Sequence, residues 1–148
     1  MKASQACIDL IHDFEGFREA PYHCPAGVWT IGYGSTRYAD GTPVKQTDPA
    51  ITRAQADAIM RQTLVEYENA VARYVSLPIT QNMADALIDF AYNAGAQNLR
   101  KSTLLSKLNA GDITGAAREF DKWVYANGQI LPGLVRRRMA ERRLFEGV

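Results

Sequence analysis

Cys7, Leu10, Ile11 and Phe14 recur three and four residues apart, so the chain from about Ser4 to Glu15 is predicted as an amphipathic helix, stopped by Gly16. From Pro21 to Pro43 the helical period gives way to glycine, proline, aromatic and β-branched residues, the make-up of a small β lobe. Its best strand is Val28 to Gly34, and Asp40-Gly41 reads as a hairpin turn. Alternation sets Val28, Thr30, Gly32 and Gly34 on one face, opposite Trp29, Ile31 and Tyr33. The bulky face is expected to pack, and the small one to leave Thr30 pointing into open space beside glycines that let a ligand approach the backbone.

Thr52 followed by Gln55 matches a capping box. Beyond it Ala56, Ile59, Met60, Thr63, Leu64, Tyr67, Val71 and Tyr74 keep helical spacing until Pro78, which predicts one long helix. Another starts at Thr80 with Met83, Leu87, Phe90 and Ala91. Shorter helices follow at about Thr103 to Asn109, Asp112 to Val124 and Gly133 to Phe145, divided by Gly111 and by Asn127-Gly128. The class is therefore α+β: a small β lobe joined by a long helix to a larger helical lobe, with a cleft between lobes as the place to seek a ligand.

Composition narrows this further. The 148 residues are 47% apolar and 22% charged, the balance of one globular domain. A chain this long buries roughly two-thirds of its unfolded surface, so its two cysteines are not needed as a framework. We divide the domain into an N-terminal helix and β lobe, about 1–50, and a linking helix with the helical lobe, about 51–148. The net charge of +1 argues against a dedicated nucleic-acid binder. It hides an asymmetry, with 7 Lys or Arg against 11 Asp or Glu over residues 1–99, and 10 against 5 over 100–148. The basic C-terminal part reads either as a solvated helix face or as a surface for an anionic polymer. Asp9, His12 and Asp13 interrupt the N-terminus, leaving no signal-peptide core, and no apolar run is long enough to span a membrane. The expected location is the cytoplasm, with both thiols reduced.

The segment richest in chemistry runs from Phe14-Glu15-Gly16-Phe17-Arg18 through Tyr22-His23-Cys24 to Thr30-Ile31-Gly32-Tyr33-Gly34. It puts a carboxyl group at the end of an apolar helix, between two phenylalanines. Partial desolvation there favours the neutral form that a general acid needs. The helix dipole disfavours a carboxylate at that end, so Glu15 either serves function or pairs with an arginine.

These residues carry a resemblance. Glu15, Cys24 and Thr30, leading into Thr-Ile-Gly-Tyr-Gly, resemble the active-site signature of the phage-type lysozymes, the endolysins of glycoside hydrolase family 24. The likeness continues through Asp89-Phe90-Ala91-Tyr92-Asn93-Ala94-Gly95, Ser102-Thr103-Leu104-Leu105, Leu108-Asn109-Ala110-Gly111-Asp112, Phe120-Asp121-Lys122-Trp123 and Leu131-Pro132-Gly133-Leu134-Val135-Arg136-Arg137-Arg138. It spans essentially the whole chain. The resemblance implies a lysozyme-like fold and a muramidase that hydrolyses the β-1,4 bond between N-acetylmuramic acid and N-acetylglucosamine, with inversion. Glu15 is then the general acid, while Cys24, at a position usually Asp, and Thr30 hold the attacking water. Gly34, Tyr92, Asn93, Lys122 and Arg137 are implied to bind substrate, and of the arginine run Arg137 is the one expected to reach towards the catalytic lobe. Ser35 stands where relatives commonly have His, so a histidine-linked contact is expected to be absent.

An ordinary thiol, pKa near 8.5, is a poor base at neutral pH. Cys24 is therefore either ionised by a neighbour such as His23 or only orients water. Other classes fit less well. A cysteine amidase would pair Cys24 with His12 or His23, but adjacent residues on an extended segment point to opposite sides. Cys7, His12, His23 and Cys24 match no common zinc spacing, so no metal or cofactor is expected. A degenerate fold that only binds wall polymer would not need Glu15 and Thr30. The expected partner is peptidoglycan, reached as a monomer through a holin or piercing device, with no nucleic acid, no stable membrane insertion and no resting Cys7 to Cys24 bond.

Overall fold

The structure, a computed structural model, describes residues 1–24 and 26–148. Its elements in chain order are α1 (Gln5–Glu15), β1 (Arg18–His23), β2 (Trp29–Gly32), α2 (Arg53–Tyr74), α3 (Gln81–Ala94), α4 (Ala96–Lys101), α5 (Thr103–Asn109), α6 (Ile113–Glu119), β3 (Tyr125–Ala126), β4 (Gln129–Ile130) and α7 (Pro132–Glu146), with a 3-10 turn at Phe120–Lys122. Two compact units emerge: Asp9–Glu66, and Met1–Ile8 together with Tyr67–Val148. Both α1 and α2 contribute residues to each. The α+β class stands.

In the unit Asp9–Glu66, β1 and β2 pair antiparallel, Tyr22 opposite Thr30 and His23 opposite Trp29, with an irregularity between Arg18 and Tyr22. The predicted strand Val28 to Gly34 is shorter than expected. Gly32 and Gly34 both take positive φ, +65° and +82°, conformations open to glycine and costly to side chains. They fold the chain back so that Ile31 and Ser35 exchange both backbone hydrogen bonds, at 2.8 and 2.9 Å. The expected alternation through Gly34 therefore breaks at Gly32. Further on, Gly41 at φ +87° and the Tyr38 to Thr42 bond make the Asp40-Gly41 turn. Val44, Ile31, Tyr33, Ala56, Met60 and Leu64 are buried.

The capping box at the head of α2 is real in both directions. Thr52 N–H donates to Gln55 Oε1 at 2.8 Å, and Gln55 N–H to Thr52 Oγ1 at 3.1 Å. In the larger unit three helices carry side-chain caps: Thr80 accepts from Met83 N–H, Ser102 from Leu105 N–H and Asp112 from Gly115 N–H. A side chain at position 115 would strike the Asp112 carboxylate, so that cap requires glycine. Helix α3 is buried from Met83 to Ala91 and packs along α7. Phe90 meets the rings of Phe120 and Trp123 edge-on at 5.8 and 5.3 Å, and Phe120 meets Phe145. Leu87, Leu99, Leu104 and Leu108 close this core, each burial contributing about 1.5–3 kcal/mol.

Candidate active site

Glu15 is the last residue of α1. Gly16 follows at φ +68°, its N–H bonded to His12 O at 3.0 Å, so the helix ends where the sequence predicts. The half-buried carboxyl group lies against the Gly34 turn: a Cβ on Gly34 would sit 3.0 Å from Glu15 Cδ, 3.1 Å from Oε1 and 3.3 Å from Oε2. Gly34 thus makes room for Glu15 itself. Tyr22 is a near neighbour. Burial pushes its phenol pKa up, the Glu15 charge adds to this, and the Arg18 guanidinium 4.5 Å above the ring opposes it. His12 supports the same turn, stacked on Tyr33 at 3.9 Å with Nε2 2.9 Å from Asp57 Oδ1. Asp57 also holds Arg61 at 2.6 Å. His12 is thereby engaged by Asp57 and Tyr33.

Cys24 and Thr30 come together across the β1–β2 pair. The Thr30 hydroxyl donates to Val28 O at 3.0 Å. Thr30 is 2% exposed, which corrects the expectation that it points into open space: it sits inside the β1–β2 ladder opposite Tyr22, and the expected alternation ends at Gly32. The Cys24 thiol is half-buried and free. Its pKa is lowered, first by a hydrogen bond from the Val28 backbone, with the Ala26 backbone and the Thr30 hydroxyl adding to it against a burial penalty. The depression comes from these donors and not from His23, whose exposed ring packs on Trp29 at 3.8 Å. Ser35 is buried, its hydroxyl without a hydrogen-bond partner among the described residues.

The remaining candidates belong to the larger unit. Tyr92, at the end of α3, meets Tyr67 edge-on at 5.5 Å. Asn93 Oδ1 accepts from Arg138 Nη2 at 2.5 Å. Lys122 extends to solvent while its ammonium lies 2.6 Å from Glu119, which Lys107 also reaches at 3.1 Å. These two lysines hold the Glu119 carboxyl below its usual range.

The arginine run divides, against the reading of a uniformly solvated face. Arg136 is exposed, but Arg137 and Arg138 are 3% and 1% exposed. Arg137 grips Asp89 with Nε at 3.0 Å and Nη2 at 2.8 Å, a bidentate geometry strong enough to hold both groups out of water. Asp89 in turn is hydrogen-bonded to Glu141. Burial pushes the Glu141 carboxyl well above its ordinary range, and the Asp89 charge pushes it further. Burial alone would raise Asp89 too, but hydrogen bonds from Glu141 and Arg137 bring it below. The two acids share one proton. The sequence reading missed Glu141 and Arg138, although Glu141 lies four residues from Arg137 and three from Arg138 on α7, spacing that puts all three on one helical face.

Among the described residues no group of three or more His, Cys, Asp or Glu is placed to hold a metal ion. Among the described residues no helix is long and apolar enough to cross a membrane. Cys7 is buried, and burial drives its thiol pKa far up.

Residues 12–141 match the family model described as phage lysozyme. The chain is 41% identical over 150 residues to an endolysin of Acyrthosiphon pisum secondary endosymbiont phage 1, covering 99% of each. Among solved structures it resembles the endolysin from Escherichia coli O157:H7 phage FAHEc1, with TM-score 0.91, 34% identity and coverage of 100% and 96%. It also resembles the muramidase domain of SpmX from Asticaccaulis excentricus, with TM-score 0.86, 38% identity and coverage of 97% of each.

Proposed function

The chain belongs to the phage lysozyme family, and on that premise we propose that it is an endolysin-type muramidase in which Glu15 protonates the glycosidic oxygen of peptidoglycan. The observation that carries the assignment of Glu15 is its seat: a carboxyl group at the end of α1, fitted against Gly34, where a side chain would crowd it. A general acid must be held in a fixed place while its proton is transferred, and the Gly32-Tyr33-Gly34 turn supplies that hold.

Cys24 and Thr30 are proposed to hold the water that attacks the anomeric carbon from the opposite side, giving inversion. The Thr30 hydroxyl has one proton and two acceptors in reach, Val28 O at 3.0 Å and the Cys24 sulfur, to which it turns when the thiol is ionised; its lone pairs remain to accept from water. The donors around Cys24 favour its thiolate, so the sulfur can accept the second water proton. Gly34, Tyr92, Asn93 and Lys122 are proposed to contact the glycan, the first by its close backbone and the others by side chain, while Arg137, expected from the sequence to bind it too, is 3% exposed and gripped on Asp89 and so is proposed to brace α3 from within. The whole 148-residue chain is proposed to work as one lysozyme domain and as a monomer. Passage to the wall through a holin or piercing device belongs to the same proposal.

Product analysis on purified peptidoglycan tests this reading. Reducing-end muropeptides from the parent, absent with Glu15→Gln, are expected. Anhydro-muramic ends would mean a lytic transglycosylase, free stem peptides an amidase, and binding without products a wall-binding module. Proton NMR of the first-formed anomer reads inversion directly. Expression in cells with and without a membrane-permeabilising step tests the release route.

A further inference from the structure

Tyr22 stands outside the Glu15, Cys24 and Thr30 signature, yet the hairpin sets it on the same side as two of those residues. Its Cα pairs with that of Thr30 across β1 and β2, and residues directly opposite in an antiparallel pair project together, with Cβ atoms about 4.5–5.5 Å apart. Cys24, two residues further along, shares that side. Its N–H donates to Val28 O at 3.1 Å to close the hairpin, and the Thr30 hydroxyl reaches its sulfur. The charges of both Glu15 and Cys24 act on the Tyr22 phenol. All four residues belong to the unit Asp9–Glu66.

The ring of Tyr22 is held, with the Arg18 guanidinium 4.5 Å over its face. The hydroxyl of this half-buried side chain is not held: among the described residues it makes no hydrogen bond. Burial, Glu15 and Cys24 together push its pKa up against Arg18, so it offers a neutral dipole and not a third anion. In an inverting glycosidase the acid and the attacking water stand on opposite faces of the anomeric carbon, with their supporting groups roughly 6.5–9.5 Å apart. A group that faces Thr30 and lies within reach of both Glu15 and Cys24 therefore stands beside that carbon. We propose that Tyr22 is a further catalytic residue, the lone pairs of its hydroxyl oxygen turned to the ring oxygen and anomeric carbon of the reacting sugar, where the oxocarbenium-like transition state gathers positive charge. A fixed dipole aimed at developing charge needs no rearrangement as the bond breaks. A phenolate in that place would attack the carbon itself and give retention, so the neutral form also keeps attack for water. This inference rests on the muramidase reading and adds a fourth residue to its chemistry.

Tyr22→Phe tests it. The variant keeps the ring beneath Arg18 and removes one oxygen that holds no hydrogen bond, so its Tm is expected to match the parent's. On soluble peptidoglycan fragments kcat is expected to fall roughly 10- to 100-fold with KM within about twofold, because the charge arises only in the transition state. Binding gives a second reading. An N-acetylglucosamine oligosaccharide whose reducing-end ring is a cationic iminosugar should bind the variant roughly tenfold more weakly than the parent, while the neutral oligosaccharide of the same length binds both alike. Alkylation of Cys24 against pH should be unaltered. A kcat within about twofold of the parent's overturns the inference. So does an equal loss of affinity for the two oligosaccharides. A shifted Cys24 titration, or a variant that does not fold, would make Tyr22 a brace of the hairpin and overturn it as well. Failure of the parent to release reducing ends would instead overturn the muramidase reading, and is seen before any variant is made.

Discussion

Replacing Gly34 by alanine asks whether the seat of Glu15 matters beyond the strain of the turn. At φ +82° an alanine meets the cost of the left-handed region, about 1–2 kcal/mol, or a Tm lower by about 2–8 °C in a domain of this size. The new Cβ would also stand 3.0 Å from Glu15 Cδ, against the roughly 3.5–4.0 Å of an ordinary carbon contact. The carboxyl group must yield by about half an ångström to one ångström, and a displacement of that order costs roughly 10- to 100-fold in rate. Gly41→Ala is the matched control, because Gly41 has φ +87° and nothing within 4 Å of its would-be Cβ. Both variants should lose similar stability, read by thermal unfolding. Only Gly34→Ala should lose activity, read as initial release of reducing ends below either Tm. Equal activity of the two, within about twofold, would refute the seat and leave Gly34 as a turn residue.

Three further outcomes follow from the geometry. Alkylation of Cys24 against pH should show a titration below that of free cysteine, and Thr30→Val should move it upward, since the Thr30 hydroxyl is one of the donors that favour the thiolate; a curve identical to free thiol would refute this. Glu141 has a raised folded-state pKa, so its stabilising contribution is complete below the unfolded carboxylate pKa of about 4.3 and is lost as pH climbs through the folded value. Glu141→Gln keeps a donor towards Asp89 and should flatten that decline, seen in urea unfolding at pH 5, 7 and 9; an unaltered slope would count against the shared proton. Thr52→Ala removes the acceptor for Gln55 N–H and should lower stability by about 1 kcal/mol without changing activity.

The ends of the helices were legible wherever a local rule decides them. Thr52 with Gln55 and Gly16 after Glu15 act within one turn, and the structure puts the start of α2 and the close of α1 at those residues. The predicted helix from Asp112 to Val124 is interrupted, with α6 ending at Glu119 and a 3-10 turn taking Phe120–Lys122. Four elements were hidden: β1, α4 and the β3–β4 pair, whose Asn127-Gly128 turn was read only as a divider between helices. Arg18–His23 contains Pro21 and alternates weakly, so β1 carries no strand pattern; pairing with β2 creates it. Helix α4 opens directly on Gly95, where the glycine reads as an end and not as a joint.

Candidate chemistry divides the same way. Glu15, Cys24 and Thr30 lie within one short stretch and could be read together, but that Thr30 is covered depends on its pairing with Tyr22 of β1, a strand with no pattern of its own. Asp89, Arg138 and Glu141 come from α3 and α7, and their mutual neutralisation is a fact of packing. No local pattern discloses that an arginine in a basic run is 1% exposed.

The nine consecutive buried residues of α3 bear on how long the protein endures. A helix with one wet face can fray, and its amide hydrogens exchange with solvent through small openings. Helix α3 has no such face from Met83 to Ala91, so its amides are released only when the surrounding packing comes apart as a whole. The hairpin at β3 and β4, two residues a side with Tyr125 and Ile130 exposed, has little packing to lose and is expected to open by itself. A protease in a lysed culture therefore meets two clocks in one unit: a quick one at the hairpin, and a slow one at α3 that measures the global unfolding on which the enzyme's lifetime outside the cell depends.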